Sequence, residues 1–306
     1  MKKIRFTKLL KFIVPTYLTS LFNTVYTIID GIFVSTYVGT NALASINIVY
    51  PIVNVLTGIA LVFATGGSSV TALVHWRKTE KRKQTAPFLP ASFAAILLDA
   101  SFPWWFLRIS QQFWPYSVQP PWQLQCKTYA RWWLLAAPVV IGKELFTYFI
   151  RVDGAPTYSF ITALSGGILN IVLDYILVGQ MQMGIYGAAL ATILGLVLSF
   201  SMGIYYFIHK QKYLSFTLHN LSLREAMHCM LNGASEFVNQ LAIAVTTIVF
   251  NRHCTLLCRW RRCRRSFHHH VSAVFVYRCL LWLFYGHGTT SELCVWRPKN
   301  KNLPKN

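Results

Sequence analysis

Gly166-Gly167-Ile168-Leu169-Asn170-Ile171-Val172-Leu173-Asp174 decides the reading of this chain. The stretch lies in an apolar run from Tyr158 to Val178 whose only charged residue is Asp174. Asn170 stands one helical turn before the acid and shares its face. A second acid, Asp30, lies equally deep in the run from Leu9 to Tyr37. A carboxylate in hydrocarbon costs a few kcal/mol, so it is rare there unless it binds an ion or relays protons. The bland alternative is a protonated acid bonded to a neighbouring helix.

The composition supports a membrane setting. Of 306 residues 54% are hydrophobic and 12% charged, against roughly 25% charged in soluble domains. Several apolar runs approach the ~20 residues that cross a bilayer as helix. The net charge of +20 invites a nucleic-acid reading, but the basic residues cluster at the ends of apolar runs and in one tail. No secretory cleavage pattern follows the first run, which therefore reads as a retained membrane helix. The seven cysteines suggest no disulfide framework.

Seven spans are expected: Leu9 to Tyr37, Ala42 to Val74, a weaker one between Phe88 and Ile109, Tyr129 to Ile150, Tyr158 to Val178, Gly184 to Ile208, and Ala234 to Phe250. Lys2, Lys3, Arg5, Lys8 and Lys11 precede the first, and Arg77, Lys78, Lys81, Arg82 and Lys83 follow the second. Arg151 follows the fourth, and Lys210, Lys212 and Arg224 lie between the sixth and seventh. The alternate turns, Ser35 to Asn41 and Gly179 to Gly184, carry no charge. Basic loops mark the cytoplasmic side, which puts the amino terminus inside.

That orientation fixes depth. Asp30 is 19 residues beyond Lys11 and Asp174 is 18 beyond Pro156, about 28 and 27 Å of helix at 1.5 Å per residue. Both acids therefore fall at one level, in the outer half of the membrane. Thr192, on the returning sixth span, comes within about one turn of Asp174 in depth. Asp30, Asn170, Asp174 and Thr192 form an oxygen-rich set that suits a hard cation such as Na⁺. Two close carboxylates equally suit a shared proton. Taken singly, Thr192 reads as a back-bond to its own helix and Asn170 as interhelical glue.

With these residues in hand, the chain resembles the multidrug and toxic compound extrusion (MATE) family. The resemblance rests on Tyr26-Thr27-Ile28-Ile29-Asp30-Gly31, Arg151-Val152-Asp153-Gly154-Ala155-Pro156, Asn170-Ile171-Val172-Leu173-Asp174, Gly187-Ala188-Ala189-Leu190-Ala191-Thr192 and Ser235-Glu236-Phe237. It covers about residues 1–75 and 128–252. It implies two six-helix lobes and H⁺- or Na⁺-coupled export of cationic or amphipathic organic compounds by alternating access. It also implies a first-lobe cation site that falls on Asp30, Asn170, Asp174 and Thr192. Glu236 matches an acid of some members and becomes a second-lobe coupling or substrate candidate. By position alone it is equally a residue near the inner end of its helix, touching headgroups or water.

Two stretches depart from that pattern. All ten tryptophans lie within 76–133 or 260–296, and five of seven cysteines lie between Cys254 and Cys294. Tryptophan has one codon, TGG, whose GG begins a glycine codon when read a base later. Residues 76–127 and 253–306 are therefore read as translated out of frame. The expected organisation is an all-α polytopic membrane protein with a MATE-like first lobe over 1–209. A cytoplasmic linker follows over 210–226, then the first helix of the second lobe over 227–252 and an aberrant basic tail over 253–306. Without most of a second lobe, such a chain would be an incomplete copy inactive in export. A non-functional fragment and a lipid-linked sugar flippase are the alternatives, although a flippase would carry more intramembrane bases than Lys143.

Other classes fit less well. No Gly-x-Ser-x-Gly elbow, phosphate loop or His-Glu-x-x-His motif occurs, so no enzyme is expected. Cys254, Cys258, Cys263 and His268 to His270 lack the paired spacing of zinc modules, and no metal is expected. The expected partners are small organic substrates and the lipid bilayer of the cell membrane, without nucleic acid, and no cofactor beyond the coupling H⁺ or Na⁺.

Overall fold

A computed structural model describes residues 6–77, 84–85, 120–210, 214–215 and 223–257. The apolar runs form helices α1 (Phe6–Phe33), α2 (Thr40–Arg77), α3 (Pro120–Leu135), α4 (Ala137–Val152), α5 (Pro156–Leu173), α6 (Gly184–His209) and α7 (Leu223–Leu257). Two-residue strands β1 (Gln84–Thr85) and β2 (Leu214–Ser215) pair in parallel, joining the segment after α2 to the linker before α7. The expected third span, between Phe88 and Ile109, the reading of 253–306 as an aberrant tail and the possible tail ligands lie outside the described residues or their described side chains.

Among the described residues four helical spans are long and apolar enough to cross a bilayer: Ile13–Val38, Ala42–Ala72, Pro156–Gln180 and Gly184–His209. The expected fourth span is a bent pair, α3 and α4, which together are apolar enough for one span and meet at 51°. Pro138 sits in the first turn of α4. It has no N–H to continue the α3 ladder, so the break falls just before it. The seventh expected span, Ala234 to Phe250, lies within α7, whose described side chains end at Val249.

The two neutral turns are shorter than expected. Val34–Val38 continues α1 as a π-helix, and Asp174–Gln180 continues α5 in the same way. Only Gly39, at φ 106°, and Met181 to Met183 remain between spans there. The wide π turn accommodates residues that the sequence reading gave to loops.

The helices form a ring. α1 packs on α5, α5 on α6, α6 on α4 and α4 on α2, while α7 lies along α2. The ring is open between α1 and α2, which make no extended contact. Lipid tails are as apolar as leucine, so helix association here depends on close packing. One core gathers around α4, with Ile141, Phe149, Ile150 and Tyr206 almost fully buried. A second closes the end that carries the two neutral turns, where Val34, Val49, Val178, Ala188 and Ala189 meet.

Candidate cation site

Gly166 and Gly167 place α5 against two neighbours at once. A Cβ at Gly166 would stand 2.6 Å from the Gly195 carbonyl oxygen of α6. One at Gly167 would stand 2.5 Å from the Phe22 ring of α1. Small residues thus let the backbones approach, as membrane helix pairs require. One and two turns further along α5, Asn170 and Asp174 inherit that closeness.

Asn170 is buried and donates from Nδ2 to Thr192 Oγ1 at 3.4 Å. Thr192 in turn donates to the Ala188 carbonyl at 2.9 Å. Asp174 is 0% exposed. Its carboxyl lies within hydrogen-bonding reach of the Asp30 carboxyl. Two carboxylates have no proton to share until one of them binds one. Asp30 Oδ1, Asn170 Oδ1 and both Asp174 carboxylate oxygens accept no hydrogen bond from the described residues.

The four residues expected from sequence are therefore brought together, and their free atoms are all oxygens. Two unit charges 4 Å apart repel by about 4 kcal/mol at an effective dielectric of 20. A cation or proton between the acids reverses that sign. The donor set is the kind that hard cations select, and among the described residues no Lys, Arg or His forms an ion pair with either acid. Each acid also adjoins a π segment: Asp30 lies one turn before Val34, and Asp174 opens the other. Such segments recur at functional sites.

Glu236 is not part of this cluster. It stands on α7, which packs on α2 and makes no extended contact with α1, α5 or α6. Tyr129 of α3 is a neighbour that sequence reasoning did not single out. It is 5% exposed and lies in the electrostatic field of both acids, with Trp133 beside its hydroxyl. Its depth on α3 was a usable signal, hidden by the assumption of an unbroken fourth span.

The Arg-x-Asp-Gly-x-Pro string builds the opposite end of the lobe. Asp153 is 0% exposed. It accepts from the Tyr206 hydroxyl at 2.7 Å and from the Leu214 N–H at 2.8 Å. Arg151 donates to Ser159 Oγ at 3.3 Å, and Ser159 donates to the Thr147 carbonyl. This acid ties the linker strand to α6 and is spoken for.

Comparison with known proteins identifies the family and the fold. The MatE family model matches residues 15–176. The multidrug export protein MepA of Staphylococcus saprophyticus is 25% identical over 252 residues, covering 80% of this chain and 55% of its own length. MepA of Staphylococcus aureus (strain NCTC 8325) is 25% identical over 260 residues, with the same two coverages. The chain thus spans about half the length of the curated relatives it matches. Among solved structures, the MATE multidrug transporter DinF-BH superposes with TM-score 0.77 at 20% identity, over 95% of this chain and 64% of that one. A MOP superfamily transporter from Pyrococcus furiosus gives TM-score 0.76 at 20% identity, over 94% and 62%. These structures show a common fold. With more than half of its residues matched by the family model, this multi-pass membrane chain belongs to the MatE family of efflux transporters.

Proposed function

We propose that residues 1–209 are the ion-coupling lobe of a multidrug exporter. The observation that carries the reading is the buried, unpartnered carboxylate of Asp174 facing Asp30. H⁺ or Na⁺ binds there, with Asn170 and Thr192 completing the oxygen set. Occupancy removes the repulsion between the acids and stabilises one arrangement of the helices. Organic, cationic or amphipathic substrate binding favours the other, each in proportion to its differential affinity. Export follows by rocking of this lobe against a second bundle, of which α7 is the first helix. Glu236 on α7 is the candidate for substrate charge or second-lobe coupling. The amino terminus lies on the cytoplasmic side, as the basic loops favour.

We read two stretches, after His75 and after Arg252, as translated in a shifted frame. The packing of α3 (Pro120–Leu135) against α2 shortens the first from the expected 76–127 to one that ends before Pro120. Cys126 is fully buried there, and Gln125 Oε1 accepts from Ser45 Oγ at 3.2 Å. Sequencing the gene across both stretches decides this: stop codons in the alternative frame overturn it.

The site is tested on the full chain in lipid nanodiscs, with tryptophan fluorescence as reporter, Trp133 lying beside Tyr129 at the site. Addition of Na⁺, or acidification, is expected to change the emission with a saturable midpoint. Asp174→Asn is expected to move that midpoint at least tenfold, equivalent to about 1.4 kcal/mol, with membrane insertion unchanged. An unaltered midpoint in that variant removes Asp174 from ion binding. In an intact-length relative, the matching substitution is expected to abolish coupled efflux.

A further inference from the structure

Two buried amides away from the cation site lack partners, and each lacks what the other offers. Asn54 of α2 is 3% exposed and Gln240 of α7 is 8% exposed. Among the described residues the Asn54 Nδ2 donor finds no acceptor, and the Gln240 Oε1 acceptor finds no donor. A buried polar group left unpaired is costly, and native structures hold few of them. A complementary pair on two helices that pack along each other therefore calls for a physical reason.

The glycines of this seam fix its register. A Cβ at Gly58 of α2 would stand 3.1 Å from Gln240 Cβ and 3.0 Å from the Phe237 ring of α7. A Cβ at Gly233 of α7 would fall on the Val62 backbone of α2. Residue numbers rise along α2 as they fall along α7, so the two helices are antiparallel. Asn54 lies one turn before Gly58 and shares its face. Gln240 therefore packs one turn short of Asn54. Side chains lean toward the N-terminus of their own helix, so on antiparallel helices the two amides also lean apart. A slide of α7 by one turn, about 5.4 Å, toward the end that carries the neutral turns takes Gln240 from Gly58 to Asn54. The same slide takes Gly233 from Val62 to Gly58, again one turn along α2. Two glycines then meet, and the slid helix keeps a close backbone contact. Asn54 comes to stand beside Gln240 and Phe237 where a glycine stood before, so the seam widens there and is tightest at the glycine pair.

We propose that Asn54 and Gln240 are positioning residues of the transport cycle. They select a second register of α7 on α2, one helical turn from the present one, in which Asn54 Nδ2 donates to Gln240 Oε1. One-turn steps of a packed element past its neighbour are a recurring form of switching. A polar residue buried in a helix seam is a device that selects register. The present register has the tighter packing of Phe237 and Gln240 on Gly58 and two unpaired amides; the slid register has the bond. The inference rests on the reading that α7 opens a second bundle that moves against residues 1–209. It adds which contact changes, by how much and in which direction.

Double electron–electron resonance on the full chain in nanodiscs tests it, with the seven native cysteines changed to serine. One nitroxide is placed at Val245 of α7 and the other at Met181, by the neutral turn, or at Ile208, in the last turn of α6; all three positions are exposed. The slide brings Val245 nearer to Met181 and takes it farther from Ile208, whereas a sideways parting of the helices lengthens both distances. Each pair is expected to show two populations whose ratio follows Na⁺ concentration or pH. Asn54→Leu and Gln240→Leu each remove the bond and should shift that ratio toward the present register by at least about fivefold. The exchange Asn54→Gln with Gln240→Asn keeps a donor and an acceptor and should keep both populations. A single population in the parent under every condition, two distances that lengthen together, or a ratio unmoved by both leucine variants overturns the proposal. Populations that respond to the leucine variants but ignore Na⁺ and pH keep the switch and overturn the ion-coupling reading instead.

Discussion

Gly166→Ala is the substitution whose effect the structure fixes most tightly. The new methyl carbon would stand 2.6 Å from the Gly195 carbonyl oxygen and also press on Ser199 Oγ. Ser199 can rotate away only by giving up its 3.0 Å bond to the Thr162 carbonyl. The Gly195 carbonyl belongs to the helix backbone and cannot rotate, so α6 must move. Opening the contact from 2.6 Å to an ordinary 3.4 Å displaces α6 by about 0.8 Å. One turn away, the Asn170–Thr192 bond is already 3.4 Å long and does not survive that displacement. Overpacking of this kind costs about 1–3 kcal/mol, and the lost interhelical bond adds about 0.6–1 kcal/mol. The expected outcome is a loss of about 2–4 kcal/mol in nanodisc unfolding. Cation affinity should fall roughly tenfold as Asn170 loses its orientation. Adding Ser199→Ala relieves only the hydroxyl contact, so rescue should be partial. An unchanged unfolding midpoint would refute the backbone contact. Lower stability with an unchanged cation midpoint would show that the α6 wall does not hold the ligand set.

Two further outcomes follow from other contacts. Asp153→Asn turns an amide nitrogen toward one of two donors, and loss of one charge-assisted bond should cost about 1.5–3 kcal/mol; trypsin cleavage at Lys210 should accelerate because the linker strand is freed. Gly233→Ala drives a methyl into the Val62 backbone and should part α7 from α2. Cysteines introduced as Gly58→Cys and Gln240→Cys, whose Cβ atoms would lie 3.1 Å apart, should cross-link in the parent and fail to do so in that variant.

The acids and their common level were legible because charge inside an apolar run is a signal that needs no neighbour. Asn170 followed from spacing alone, and Thr192 from the antiparallel return of α6. Pitch was not legible. A run that is apolar on every side reads the same at 3.6 residues per turn as in a wider π turn, so Val34–Val38 and Asp174–Gln180 were divided between span and loop. In the structure Val178 is 1% exposed and Met181 61%, and the π segment that holds Val178 packs on α6 and α1. The bend at Ala136 had a sequence cause in Pro138, but membrane helices often carry proline unbroken, and α2 does so at Pro51. Tyr129 was missed for the same reason, because its facing direction depends on the bend.

The distribution of apolar and polar groups around the acids argues for the side from which an ion exchanges. Toward the end that carries the two neutral turns, Val34 and Val49 at 0% and Val178 at 1% exposure pack with Ala188 and Ala189 in a largely apolar layer. Moving an ion from water into such surroundings is costly unless oxygens replace its hydration shell. On the other side of the acids the composition changes. Tyr26 stands one turn before Asp30, Asn54 Nδ2 is a buried donor without a partner among the described residues, and α4 carries the part-buried Lys143–Glu144 pair. Polar groups of this kind are tolerated at membrane depth where they line a hydrated path. Under the proposed function, an ion would then reach the acids from that side rather than through the apolar layer. Access from the other side requires the π segments, which pack on one another and on α6, to part. The change of pitch beside each acid sets the apolar layer and the two carboxyls on the same short stretches of chain, so the proposed ion occupancy and that layer would move together.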